Sequence, residues 1–257
     1  MSGQGREGAV ALVTGGGSGI GRAASQRLAA DGAAVVVADL NGDSAARTVA
    51  LIEAAGGRAL AVVANIAAEA DNIHMFDEAE RTFGGVDMAF LNAGTLQPYI
   101  PLNEVSVELF DRIISVNLRG TFLGVQQALT RLRPGGACVV TASAAGLIGF
   151  AEAAAYATSK HGLIGLVKSS AAAFAARSLR INAICPGMVL TPMNGLEGSE
   201  AIEDPDKLDY PDYRGGLSAQ QVAEVAIFLM SRRAAGLNGQ AQLVDAALLS
   251  SFPPLAG

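Results

Sequence analysis

Thr14-Gly15-Gly16-Gly17-Ser18-Gly19-Ile20-Gly21 closes an apolar run over 9–14 and opens an amphipathic stretch over 19–31. Glycine has no Cβ, so the backbone can turn tightly there and approach an anion closely. The unpaired N–H groups and the positive dipole end of the following helix would face that anion. A strand, a glycine loop and a helix in that order predict a pyrophosphate site. The next apolar run ends near Asp39, 18 residues beyond Gly21. A carboxylate at the end of a second strand accepts hydrogen bonds from both hydroxyls of an adenosine ribose and repels a 2′-phosphate, which predicts NAD over NADP. The alternative, that Asp39 only caps the following turn, stays open at this level. Leu40 follows it, no arginine lies inside the loop, and Arg22 falls past the last glycine, where it reads as a solvated helical residue.

Outward from the loop, short Val- and Ala-rich runs alternate with helix-like stretches, the rhythm of a parallel sheet covered on both faces. Strands are expected over 9–14, 34–38, 59–63, 87–91, 136–141, 180–185 and 240–244, and helices over 19–31, 42–55, 69–83, 104–131, 154–177 and 218–231. This pattern predicts an α/β fold, a doubly wound seven-stranded parallel sheet flanked by helices on both faces. No repeat or linker divides residues 1–257, so a single NAD-binding and catalytic domain is expected. The exception to the rhythm is 188–215, about 28 residues without clear periodicity, longer than ordinary connections and expected to be a substrate loop or lid.

Composition narrows the function classes. The 257 residues are 51% hydrophobic and 16% charged, which fits one domain with a large core. A net charge of -6 is the wrong sign for covering phosphates, and 5% aromatic content without tryptophan offers no base-stacking platform, so no nucleic-acid partner is expected. Cys138 and Cys185 sit in apolar runs without CxxC or Cys/His spacing, which reads as buried free thiols and no metal site. No apolar run reaches membrane-spanning length and the N-terminus lacks a signal-peptide pattern, so no membrane partner and a cytoplasmic location are expected.

Tyr156 and Lys160 stand four apart in AAAYATSKHGL, on one face of a helix. A tyrosine is a poor base near neutral pH. A nearby ammonium and a cationic nicotinamide would both favour its phenolate and lower its pKa. Ser143, thirteen residues earlier, falls just past the fifth strand, where a hydroxyl can hydrogen-bond an oxygen that changes charge between carbonyl and carbinol. Asn117 lies inside an apolar helical stretch, IISVNLRGTFL, where its amide must find partners or incur a desolvation cost.

The order TGGGSGIG, LNAG at 91–94, VNLRG around Asn117, Ser143, Tyr156-x-x-x-Lys160 and CPGMVLTPM at 185–193 resembles the short-chain dehydrogenase/reductase family over about residues 8–245. The resemblance implies a Rossmann-like fold and an NAD-dependent oxidoreductase that interconverts a secondary alcohol and a ketone by hydride transfer. It implies Tyr156 as general acid/base, Lys160 on the nicotinamide ribose, Ser143 on the substrate oxygen and Asn117 holding a water in a relay to Lys160. Gly15, Ser18, Gly19 and Ile20 would form the pyrophosphate loop, and Asn92, Ala93 and Gly94 would lie along the adenosine. Asn65, with Ile66 beside it, would face the adenine, and Pro186, Gly187, Val189 and Thr191 would border the nicotinamide. The chain departs from the family in having Asn65 for the usual Asp, Leu91 for the usual first Asn, and VDAALLSSF for Val-Asp-Gly-Gly.

The 188–215 segment carries Glu197, Glu200, Glu203, Asp204, Asp206, Asp209 and Asp212 against Lys207 and Arg214. Such a run is commonly a solvated face; at a substrate entrance it would disfavour anions and point to a neutral small-molecule alcohol or ketone. The substrate pocket is expected to be lined by Ala144, Ala145, Leu147, Ile148, residues 96–99 and the lid. A 3-oxoacyl-[acyl-carrier-protein] reductase is the rival within the family, disfavoured by Asp39 and the acidic lid. A non-catalytic cofactor-sensing protein on the same fold would not need both Tyr156 and Lys160. The resemblance also implies a homotetramer, with helices over 104–131 and 154–177 and the C-terminal segment at the interfaces. The tail SFPPLAG is expected, on its own apolar character, to cap a neighbouring subunit's site.

Overall fold

The chain runs β1 (Val10–Thr14), α1 (Gly19–Ala30), β2 (Ala34–Asp39), α2 (Gly42–Ala54), β3 (Arg58–Val63), α3 (Glu69–Phe83) and β4 (Val86–Leu91). It continues with α4 (Val107–Ile113), α5 (Thr121–Arg131), β5 (Leu132–Thr141), α6 (Ala154–Ala176), β6 (Arg180–Pro186), β7 (Val189–Leu190), β8 (Leu217–Ser218), α7 (Ala219–Met230) and β9 (Ala241–Val244). This computed structural model describes residues 6–195, 202–205, 208–209 and 216–250. Seven strands form one parallel sheet in the order β3-β2-β1-β4-β5-β6-β9.

The central strands of that sheet are dry on both faces, which is why they lack polar alternation, whereas the edge strands β3 and β9 are mostly half-buried or exposed. All five residues of β1 are buried. Val13, Val35 and Val37 pack with Leu28 of α1, Ile52 of α2 and Val222 of α7 on one face. Leu12 and Val36 pack with Phe76 of α3, Val125 of α5 and Leu163 and Phe174 of α6 on the other. Each such side chain contributes about 1.5–3 kcal/mol of burial. The strand order reverses between β1 and β4, so the connections leaving those two strands diverge and open a cleft at their carboxyl ends.

Three features depart from the sequence reading. The helix expected over 104–131 is α4 and α5 joined by a π-helical turn, Ile114–Gly120, that holds Asn117. The apolar spacing runs through it, so one wider turn leaves no break in the pattern. β5 starts at Leu132 rather than 136, because Leu132 pairs with Val86 ahead of a register shift. Within the expected lid, Val189 and Leu190 pair in parallel with Leu217 and Ser218, fastening the two ends of the segment together. Only Glu203, Asp204 and Asp209 of its acidic residues lie among the described residues, as does neither of its cations. Gln220 holds the Glu203 backbone through both ends of its amide, and Gln221 donates to the Asp209 carbonyl at 2.7 Å. The tail 251–257 lies outside the described residues.

Candidate active site

The glycine loop leaves β1 with Gly15 at φ 63° and Gly19 at φ 48°, both in the left-handed region. A Cβ on Gly21 would stand 2.0 Å from the Gly15 carbonyl oxygen, so α1 can begin that close to the loop only with glycine there. Ser18 caps α1 through its backbone alone, making no side-chain capping bond, and the first turn holds no acidic residue. The helix N–H groups and positive end are thus free of a competing anion from the first turn, which suits a pyrophosphate.

Asp39 ends β2 at the rim of the same loop. Its Oδ2 accepts the Gly17 N–H and its Oδ1 the Asn41 N–H, each at 2.9 Å. It therefore does cap the following turn, and the two bonds also hold its carboxylate toward the cleft. A Cβ at Gly17 would come 2.8 Å from Oδ2, so the approach needs that glycine. Arg22 is not a solvated helical residue: its guanidinium donates to the Gly17 carbonyl and, at 3.2 Å, to Thr48 Oγ1, bracing the loop. Asn65 lines the cleft, but its amide oxygen already accepts the Ala67 N–H at 3.1 Å.

Asn92, at the end of β4, binds neighbouring strands together. Its N–H donates to Thr14 Oγ1 at 3.0 Å, and Thr141 Oγ1 donates to its side-chain oxygen at 3.0 Å. Thr14 also accepts the Ala93 N–H at 3.1 Å. These two threonines were not singled out from the sequence, since their role depends on strands that are distant along the chain.

Helix α6 brings Tyr156 and Lys160 to the cleft, and Ser143 enters from the end of β5. Lys160 is 3% exposed, and its Nζ donates to the Thr141 carbonyl at 2.9 Å and sits 5.6 Å from the Tyr156 ring centroid. Burial pulls its pKa down to about 8. Burial pushes the Tyr156 phenol up, a hydrogen bond with Ser143 pulls it down, and Tyr99 pushes it up again. The expected depression by the ammonium is not what the chain shows: desolvation dominates, and the ammonium lies against the ring and is bonded to Thr141. Ser143 Oγ also accepts the Ala145 N–H at 3.1 Å, which ties the hydroxyl to its turn. Both cysteines are buried free thiols, and burial raises Cys185 to about 11.

Asn117 lies behind the cleft wall rather than on it. Its Nδ2 donates to the Thr95 carbonyl at 2.9 Å and to Ser159 Oγ at 3.1 Å, while its Oδ1 accepts the Thr95 N–H at 2.8 Å. Ser159 Oγ in turn donates to the Tyr156 carbonyl at 2.7 Å. The side chain is committed to protein partners on both ends.

The cleft has a volume of about 970 Å³, the upper end of ordinary ligand pockets. Gly15, Ser18, Gly19, Ile20, Asp39, Asn65, Ile66, Asn92, Ala93, Gly94, Pro186, Gly187, Val189 and Thr191 all line it, with Ser143, Tyr156 and Lys160. Its far end is apolar, with Leu96, Ala145, Ile148, Phe150, Met188 and Met193. Phe150 lines that end and Leu147, expected there, does not. Arg112 adds a guanidinium to the wall that the sequence reading did not anticipate.

Residues 15–247 match a family model described as enoyl-(acyl carrier protein) reductase. Cyclohexanol dehydrogenase of Acinetobacter sp. (strain SE19) is 39% identical over 244 residues, covering 94% of this chain and 95% of the relative. The crystal structure of levodione reductase is similar with a TM-score of 0.85 at 31% identity, over 96% of this chain and 99% of that one. The structure of 3-ketoacyl-(acyl-carrier-protein) reductase from Brucella melitensis complexed with NADH is similar with a TM-score of 0.83 at 31% identity, over 94% and 98%.

Proposed function

The chain belongs to the short-chain dehydrogenase/reductase family, and on that premise we propose that it interconverts a neutral secondary alcohol and its ketone with NAD as the hydride partner. The observation that carries this reading is the meeting of Tyr156, Ser143 and Lys160 at the apolar end of a cleft whose other end is the glycine loop and Asp39. The left-handed glycines and the uncontested α1 N-terminus fit a dinucleotide, with Gly15, Ser18, Gly19 and Ile20 holding its pyrophosphate and Asp39 its adenosine ribose. When bound, the nicotinamide would accept or supply the hydride.

The chain's own groups handle the oxygen and the proton. Tyr156 takes the proton from the alcohol hydroxyl in oxidation and returns it to the carbonyl oxygen in reduction. Ser143 donates a hydrogen bond to the same oxygen as its charge changes. Lys160 places a positive charge against the Tyr156 ring and would hold the nicotinamide ribose hydroxyls. Because burial holds Tyr156 up, the phenolate depends on added positive charge, that of the oxidised nicotinamide included. Asn117 supports this arrangement from behind, and since its amide is committed, a relay water at this position would rest on backbone oxygen.

NAD is favoured over NADP because the fixed Asp39 carboxylate repels a 2′-phosphate. The apolar far end, and relatives named for cyclohexanol and levodione, support a neutral and compact alicyclic or branched substrate. A cytoplasmic setting agrees with two free thiols, and exposed apolar side chains on α4 and α5 support a homotetramer. Arg112 and the similarity to the 3-ketoacyl-(acyl-carrier-protein) reductase structure favour one second reading, reduction of a 3-oxoacyl thioester.

A panel of neutral secondary alcohols and one 3-oxoacyl thioester, assayed with NAD and NADP by the absorbance of the reduced cofactor, separates these readings. Activity on an alcohol with NAD is expected. Tyr156→Phe should lower turnover at least about a hundredfold while retaining NAD binding, and Asp39→Ala should narrow the preference over NADP. Undiminished turnover in Tyr156→Phe would remove the proposed acid/base, and preference for the thioester would favour the second reading.

A further inference from the structure

Helix α6 begins without a side-chain cap of its own. Ala153 stands at its N-cap position and offers no side-chain acceptor, so the first N–H groups need partners from elsewhere. Tyr156, the third residue of the helix, finds one in Gln97: its N–H donates to Gln97 Oε1 at 2.8 Å, across 59 residues of chain. Gln97 leaves the connection after β4 and is 2% exposed. The other end of its amide is also engaged, with Nε2 donating to the Glu152 carbonyl at 3.3 Å and the Pro98 carbonyl at 3.4 Å.

The partner segment is shaped to receive it. Glu152 sits at φ 59°, in the left-handed region, and its carbonyl accepts the Ile100 N–H at 2.9 Å as well. On the same two segments, Tyr99 and Phe150 meet edge to face, with centroids 5.7 Å apart and planes at 83°. Residues 97–100 and 150–156 thus form a clasp in which Gln97 is the buried polar pin.

We propose that Gln97 is a positioning residue for Tyr156: by holding the backbone N–H of that tyrosine from the opposite wall, it sets where the phenol stands relative to the substrate oxygen. The inference rests on Tyr156 being the proton donor and acceptor. Proton transfer needs hydrogen-bond contact, and a displacement of about 1 Å can cost about a hundredfold in rate. A purely structural glutamine would instead affect how much protein folds, with each folded molecule turning over as before.

The test measures kcat per cofactor-binding site, KM for alcohol and NAD, and the dissociation constant of NADH by fluorescence titration. Gln97→Met keeps the length and removes both polar ends. It should lower kcat about tenfold to a hundredfold, with KM and NADH affinity within about twofold of the starting protein. Gln97→Glu keeps an acceptor for the Tyr156 N–H and should recover most of that loss. If Gln97→Met fails to fold, Gln97→Asn serves in its place: it stays polar but falls a methylene short, and kcat should fall there too. Unchanged kcat per site in Gln97→Met, or in Gln97→Asn where that replaces it, overturns the proposal, as does Gln97→Glu being no better than Gln97→Met. Tyr156→Phe runs alongside: if it retains turnover the premise about Tyr156 fails, whereas if it is inactive and the Gln97 variants turn over normally, only the role of Gln97 fails.

Discussion

Lys160 shows what the site costs the fold. Its ammonium is buried against the Thr141 carbonyl and the Tyr156 ring, and its pKa falls from 10.5 to about 8. A depression of that size corresponds to about 3 kcal/mol against the charged form. The sign follows from proton counts: between about pH 8 and 10.5 the unfolded chain holds more protons at this group than the folded one, so stability rises with pH across that window. Below it the full penalty applies. Relative to Lys160→Met, the native protein should therefore gain about 2–3 kcal/mol between pH 7.5 and 10.5 in paired urea titrations; a flat difference would show that the ammonium is not desolvated as described. Tyr156 and Lys160 were legible in the sequence because four residues on a helix is a local relation. The Asn117 amide bonds to Thr95 and Ser159, the Arg22 brace on Thr48 and the Gln97 bond to Tyr156 join residues 22 to 59 positions apart. Residue spacing carries no signal for such pairs until the sheet is assembled.

Elements divide in the same way. The central strands announce themselves because burial on both faces demands unbroken apolar runs, and the glycine loop because its conformation excludes other residues. The π-helical turn and the two-residue ladder of β7 with β8 leave no such mark: each changes backbone bonding without changing which residues are apolar. The segment after β9 is a third case. Where relatives are expected to carry Gly-Gly, Ala246 and Ala247 adopt φ 50° and 69°. Asp245 holds the turn, accepting the N–H groups of Ala247 at 3.1 Å and Leu249 at 2.8 Å, and Leu248 and Leu249 reach the cleft. A left-handed alanine costs about 1–2 kcal/mol, whereas glycine adds about 0.4–1 kcal/mol of unfolded-chain entropy. Relief wins by a small margin. Ala246→Gly should raise the melting temperature by about 1–4 °C, read by circular dichroism; a lower melting temperature would mean that the turn is relaxed with alanine in place.

For the whole molecule, charge and exposed apolar surface bear on association together. Outside 188–215 the chain carries seventeen acidic and sixteen basic residues, so the net charge of -6 resides mostly in that segment. The body of the protein is close to neutral, and charge repulsion opposes self-association only weakly. Val107 and Phe110 of α4 and Phe122 of α5 are exposed, as is Phe228 of α7. The helices α5 and α7 pack on opposite faces of the sheet, so Phe122 and Phe228 present apolar surface on two separate sides of the molecule. One self-complementary patch yields a dimer, and two on different sides yield a closed tetramer with two kinds of two-fold contact. Sedimentation velocity should therefore find four chains per particle. Phe122→Glu and Phe228→Glu should each leave dimers, because each charge disables one contact and spares the other, and the double variant should be monomeric. A native protein that sediments as a monomer at micromolar concentration would refute the tetramer, and single variants that stay tetrameric would move its contacts elsewhere on the surface.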